Sequence, residues 1–179
     1  MVADGAGGLA GGARAAEMLV ALVREAVASP DLDPSRAETW AELLSRADAL
    51  LEGDRTAGET TAVLLTVADG IVAGASCGDS GAWAVDPDGR IDDLTARQHR
   101  KLRVGSGRAR PVSFSRASLG GTLLVATDGL FDYALRERIA AVVGEEDLDQ
   151  AAAHLIQLVR LPSGGLQDDV GVILARTRR

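Results

Sequence analysis

Two Asp-Gly pairs have flanks that set them apart. Asp128-Gly129 ends an apolar strand-like run, residues 122–127 (TLLVAT), and opens a helical pattern, while Asp4-Gly5 follows Met1-Val2-Ala3 and precedes a long amphipathic stretch. Two further pairs, Asp69-Gly70 and Asp88-Gly89, lie between strand-like runs, where Asp-Gly is ordinary turn chemistry. Asp168, beside Asp169, introduces the last apolar run, residues 170–175 (VGVILA). A carboxylate at the mouth of a buried strand is costly unless something compensates it. Capping of the next helix or turn accounts for any one of these aspartates taken singly. As a set, Asp4, Asp128 and Asp168 are hard oxygen ligands of the kind Mg²⁺ and Mn²⁺ prefer, with glycine beside two of them leaving the backbone open to a ligand or water.

The elements that must position them follow from hydrophobic spacing. Leu19, Val20, Val23, Ala26 and Val27 recur at helical intervals up to Ser29-Pro30. Ser35 with Glu38 has capping-box spacing ahead of a second stripe of Trp40, Leu43, Leu44, Ala47, Leu50 and Leu51, closed by Gly53. Residues 58–68 and 71–77 read as strands joined at Asp69-Gly70 by a type I′ hairpin. Residues 82–85 form a further strand turned back by Asp86-Pro87-Asp88-Gly89, and residues 111–114 a short one. One helix is predicted over residues 130–143, and a second is capped by Asp147 with Leu148, Ala151, Ala152, Leu155 and Val159 on one face. Two helices, a block of antiparallel strands, two helices and a strand imply α+β or a layered sandwich.

Composition narrows the chemistry. The 179 residues, 46% hydrophobic, suffice for one domain with one sizeable core, spanning 1–179. A net charge of -7 argues against general affinity for nucleic acid. There is no apolar run near the length of a membrane span, no secretory signal at the front, and a lone Cys77, so a cytoplasmic location is expected. Residues 94–127 contain no Asp or Glu, yet hold Arg97, Arg100, Lys101, Arg103, Arg108, Arg110 and Arg116. This basic stretch reads first as a solvated flap and second as a docking surface for anionic phosphoproteins.

Rival chemistries fail on order or spacing. Gly5-Ala6-Gly7-Gly8-Leu9-Ala10 fits a dinucleotide pattern, but Asp4 would face the pyrophosphate and the next element is a helix where a strand is needed. Gly78-Asp79-Ser80-Gly81 resembles a serine nucleophile loop, yet His99 and His154 both follow Ser80, so the trypsin-like order cannot be made. Trp83 stands where a thiol phosphatase loop from Cys77 needs Arg, and Cys77 reads as a small core residue. His154, with Gln150 and Gln157, reads as solvated.

Five segments in order, VADGAGG, GETTAVLL, ASCGDSGAW, LLVATDGLFD and QDDVGVILAR, resemble the metal-dependent protein serine/threonine phosphatases of the PPM/PP2C type, in a small bacterial branch. The resemblance covers almost the whole chain. It implies an αββα sandwich, two antiparallel sheets flanked by helix pairs, with two Mn²⁺ or Mg²⁺ ions at one edge. It assigns Asp4 as the bridging ligand, Gly5 as a carbonyl ligand, Asp128 and Asp168 as the remaining ligands, and Asp79, ranked behind them, to a third metal or a metal-bound water. The implied reaction is attack by a water held between the two cations on phosphoserine or phosphothreonine of a phosphoprotein. The alternative is a catalytically impaired, phosphatase-like regulatory or binding domain. Departures from the family pattern motivate it: Ala6 stands where some members have a candidate acid His, Gly81 replaces an Arg, and Asp169 and Gly171 replace Asn and Thr. Only three residues precede Asp4, where the family carries strands with a phosphate-binding Arg and an acidic residue, so the first strands are expected to be lacking and the chain N-terminally truncated relative to the family.

Overall fold

The computed structural model describes residues 1–6 and 11–177, so residues 7–10 of the dinucleotide-like pattern lie outside the described residues. Helices α1 (Gly12–Ala28) and α2 (Ala37–Gly53) lead into strands β1 (Ala62–Ala68), β2 (Ile71–Cys77), β3 (Gly81–Val85), β4 (Ile91–Asp93), β5 (Val112–Arg116) and β6 (Thr122–Ala126). Helices α3 (Asp128–Phe131), α4 (Arg136–Val143) and α5 (Leu148–Leu158) follow, and β7 (Val172–Arg176) closes the fold. The strands form two antiparallel sheets, one in the order β1-β2-β5 and one in the order β4-β3-β6-β7.

Strand alternation builds three layers of core. Ala62, Leu64, Ala75 and Cys77 point to one face of the first sheet, where Ala15, Leu19, Trp40, Leu44 and Leu51 of α1 and α2 cover them. Val63 and Val72 point to the other face and meet Ala82, Ala84, Leu123 and Val125 of the second sheet. The far face of that sheet, with Trp83, Val85, Leu124 and Ala126, packs on Leu130, Ile139, Val143 and Leu155 of α3, α4 and α5. This is the αββα sandwich expected from the sequence. Val2 extends the first sheet by one residue, exchanging backbone hydrogen bonds with Val63 at 3.0 and 2.9 Å. Among the described residues no helix is long and apolar enough to cross a membrane.

Local expectations divide. Asp69 and Gly70 sit at φ 51° and 78°, as a type I′ hairpin requires, and Asp147 caps α5 by accepting from the N–H groups of Asp149 and Gln150. The Ser35–Glu38 capping box does not form. Asp33 Oδ1 takes both the N–H and the hydroxyl of Ser35, at 3.0 and 2.6 Å, and α2 starts from Arg36 with no side-chain cap. Val27 and Leu50 are exposed instead of completing their stripes. The single helix over residues 130–143 is two, α3 and α4, separated at residues 132–135. Leu130 and Ile139 are both fully buried in the same core, yet nine residues along one helix would put them about 180° apart. The break brings both to the core, leaving Leu135 67% exposed at the joint.

Cys77 is buried, and its Sγ–H donates to the Leu102 carbonyl at 3.1 Å. Burial pushes its thiol up to about 11. Ellman's reagent at pH 8 should therefore leave the folded protein unlabelled and label Cys77 fully in denaturant; rapid native labelling would contradict this packing.

Candidate metal centre

Strand register brings the acidic residues to one end of the sandwich. Ala62 pairs with Cys77 at the end of the first sheet, and Gly81, Ala126 and Val172 align across the second. Asp79 lies in the link between those ends, Asp128 follows Ala126, and Asp168 precedes Val172. Asp4 is tied to the same end, since its carbonyl accepts from the Thr61 N–H at 2.8 Å and the Thr60 hydroxyl at 2.9 Å.

Glycine is required beside Asp4 and Asp128 for close approach. A Cβ on Gly5 would sit 2.3 Å from the Gly12 carbonyl oxygen, and one on Gly129 would sit 2.3 Å from that of Asp169. The latter contact draws the Asp128 turn against the segment carrying Asp168. The hairpin glycines differ: Gly70 and Gly89 have positive φ and open space around them. Gly70→Ala is expected to cost about 1 kcal/mol from backbone strain and Gly129→Ala about 2 kcal/mol from the clash. Urea unfolding of both variants checks the order, and equal losses would refute the distinction.

Two hydroxyl clamps hold the backbone under these carboxylates. Thr61 Oγ1 accepts from the Asp4 N–H at 3.2 Å and lies 2.6 Å from the Ser80 hydroxyl, linking Asp4 to the neighbour of Asp79. Thr127 Oγ1 donates to the Asp169 carbonyl at 3.0 Å and accepts the Gly171 N–H at 3.0 Å, linking Asp128 to the lead-in of β7. The Asp4 carboxyl is raised to about 6, first by burial and then by the charges of Asp128, Asp168, Asp169 and Asp79. Asp128 is raised too, by burial and then by Asp79, Asp168 and Asp132. These groups share one electrostatic field. The donor set is all oxygen and its charges repel, which fits a hard cation. Among the described residues, no three Asp, Glu, His or Cys side chains form a cage tight enough to enclose an ion. The chemistry and the charge fit a divalent metal, while the side chains are not drawn into ligation geometry.

Asp79 is also engaged from the basic stretch, where Arg103 meets it at 2.9 Å. The stretch is therefore not one free cationic surface. Arg100 pairs with Asp132 at 2.9 Å, and Arg116 bridges Asp86 and Asp92 at 2.7 Å each. His154 is solvated but pairs with Glu145 at 2.9 Å. The space beside Gly81 belongs to Phe131, whose Cε2 would stand 2.8 Å from an added Cβ.

One anchor lies outside every motif of the sequence. Asp48 of α2, only 8% exposed, accepts from the N–H groups of Gly105 at 2.7 Å, Gly107 at 3.1 Å and Ala109 at 3.1 Å. Its position after Trp40 and Leu44 and before Leu51 puts a carboxylate on the core-facing stripe, which is the signal that could have found it. Val104, next to that loop, pairs with Thr60 through two 2.9 Å hydrogen bonds, and Thr60 holds Asp4.

Solved structures share this architecture. A bacterial serine phosphatase superposes with a TM-score of 0.81 at 22% identity, over 96% of this chain and 83% of its own. The serine/threonine phosphatase Stp1 from Staphylococcus aureus gives 0.81 at 21% identity, over 99% and 82%. The catalytic domain of the serine threonine protein phosphatase PstP, in complex with two manganese ions, gives 0.77 at 20% identity, over 96% and 84%. Likeness at this identity shows the fold. No curated protein matches the chain in sequence. The sequence does match the family described as stage II sporulation protein E (SpoIIE) along residues 1–178, and the chain belongs to that PP2C-like phosphatase family.

Proposed function

We propose that residues 1–179 form a single catalytic domain that hydrolyses phosphoserine and phosphothreonine in proteins with the help of Mn²⁺ or Mg²⁺. The observation that carries this reading is the gathering of Asp4, Asp128 and Asp168 at one end of a phosphatase fold, with the Asp4 carboxyl raised to about 6 by burial and by its neighbours' charges. Asp4, the Gly5 carbonyl, Asp128 and Asp168 would hold two cations, and Asp79 a third in competition with Arg103. The manganese bound by PstP supports that choice of metal. When bound, the cations supply Lewis acidity that activates water and neutralises the phosphate.

The chain's own groups do the positioning. Thr60 and Thr61 fix the Asp4 backbone, and Thr127 fixes the approach of Asp128 to residues 168–169. Ala6 offers no proton to a leaving group. Arg97, Lys101, Arg108 and Arg110, which make no ion pair among the described residues, remain available for docking a phosphoprotein.

The second reading, a phosphatase-like binding domain without turnover, draws on Phe131 filling the space beside Gly81 and on the side chains not being drawn into ligation geometry. Hydrolysis of p-nitrophenyl phosphate titrated with Mn²⁺ and reversed by EDTA decides between them. A folded sample that stays inactive across the titration supports the binding domain.

A further inference from the structure

A cleft of about 310 Å³ opens beside Asp79, floored by Trp83 and Phe131 and rimmed by Arg100, Asp132 and Arg136. It adjoins the candidate metal centre through α3, because Asp132 donates its N–H to the Asp128 carbonyl at 2.8 Å. Its acids are already answered: Asp79 by Arg103 and Asp132 by Arg100, each at 2.9 Å, and Asp93 by the N–H and hydroxyl of Thr95 at 3.0 and 2.9 Å. Arg136 is different. Its guanidinium carbon lies 4.6 Å from the centroid of the Trp83 ring, and among the described residues it has no carboxylate partner and no side-chain hydrogen bond. A guanidinium held against an aromatic face keeps its N–H donors in its own plane, suited to a bidentate carboxylate. The cleft thus joins an apolar floor to one guanidinium that has no ion-pair partner among the described residues, while Asp93 is held by Thr95.

We propose that this cleft is a subsite for an acidic side chain flanking the phosphorylated residue of the substrate, with Arg136 as the group that selects it. The proposal rests on the phosphatase reading for the location of the phosphate. The cleft explains how a chain of net charge -7 could favour acidic phosphoproteins locally.

The test uses the full chain in Mn²⁺ and two fluorescent peptides bearing a non-hydrolysable phosphonate analogue of phosphoserine, one flanked by Asp and one by Ala. Anisotropy should show the acidic peptide bound about 5- to 10-fold tighter, the scale of one charge-assisted bidentate contact. Arg136→Glu should abolish or invert that preference, and Arg136→Lys should keep part of it. Near-UV circular dichroism checks the fold of each variant, and Arg136→Lys carries the comparison if Arg136→Glu does not fold. Equal affinities in the wild type, or a preference that survives Arg136→Glu, would overturn the subsite. Turnover of p-nitrophenyl phosphate by the wild type is read separately. Its absence alongside an intact acidic preference removes the catalytic reading and leaves the subsite standing.

Discussion

Asp128→Asn is expected to abolish Mn²⁺-dependent hydrolysis of p-nitrophenyl phosphate while raising the melting temperature of the protein in EDTA. The two effects have one cause. Burial and then the charges of Asp79, Asp168 and Asp132 raise the Asp128 carboxyl, and burial and then the charges of Asp128, Asp168, Asp169 and Asp79 hold that of Asp4 up at about 6. Loss of a proposed metal ligand should reduce turnover by at least about 100-fold, since even groups supporting a ligand cost 10- to 100-fold. Without metal the same change removes a repulsion and relieves the fold. The pH dependence follows from the sign of the shift. A carboxyl raised from 3.8 to about 6 keeps its proton in the folded protein after the unfolded chain has released it. Its contribution to stability is full below pH 3.8 and is lost as pH rises through about 6. Melting curves in EDTA should therefore fall across that window in the wild type and fall less in Asp128→Asn, where Asp4 has lost the largest of its like-charge neighbours. Full Mn²⁺-dependent turnover by the variant, or a lower melting temperature in EDTA, would refute the account.

The sandwich could be read from the residues because alternation and turn chemistry are local. Val63 and Leu64 face opposite ways in β1, as do Leu123 and Leu124 in β6, and Asp69-Gly70 can hardly be anything but a hairpin. The four Asp-Gly pairs were sortable by their flanks, and the structure supplies the reason: two glycines permit close approach and two permit a turn. What could not be read depends on long-range partners. The basic stretch looks free along the chain, but Asp132, Asp79, Asp86 and Asp92, which neutralise three of its arginines, come from other elements. The helix break at residues 132–135 follows from a shared core that a periodicity count does not contain. The failed capping box is a local competition in which Asp33 reached Ser35 first. Asp48 was visible as an acid on an apolar stripe, but its meaning lies in three amide groups about sixty residues away.

Asp48→Ala should be among the most destabilising single changes in the molecule, at about 3 kcal/mol, a large part of the stability of a domain this size. The carboxylate, itself buried, serves three N–H groups at once, and its removal leaves all three without their acceptor in a loop that is part-buried. Asp48→Asn should cost about 2 kcal/mol, because one of its terminal atoms becomes a donor facing an N–H. A local readout separates this account from generic damage to α2. Arg108 lies in the anchored loop, so trypsin should cut after it first in both variants, under conditions where the wild type is protected, whereas Arg110 precedes Pro111 and is not a trypsin site. Ala47→Gly, one residue away in α2 and also buried, provides the control, since it should lower stability without selective cleavage after Arg108. The consequence for the acidic end runs through Val104 and Thr60, which join the loop to the Asp4 backbone. The Asp48 variants should accordingly weaken Mn²⁺ affinity in the activity titration more than Ala47→Gly does at matched stability. Unchanged Mn²⁺ dependence together with unaltered trypsin protection would reduce Asp48 to an ordinary buried hydrogen-bond acceptor.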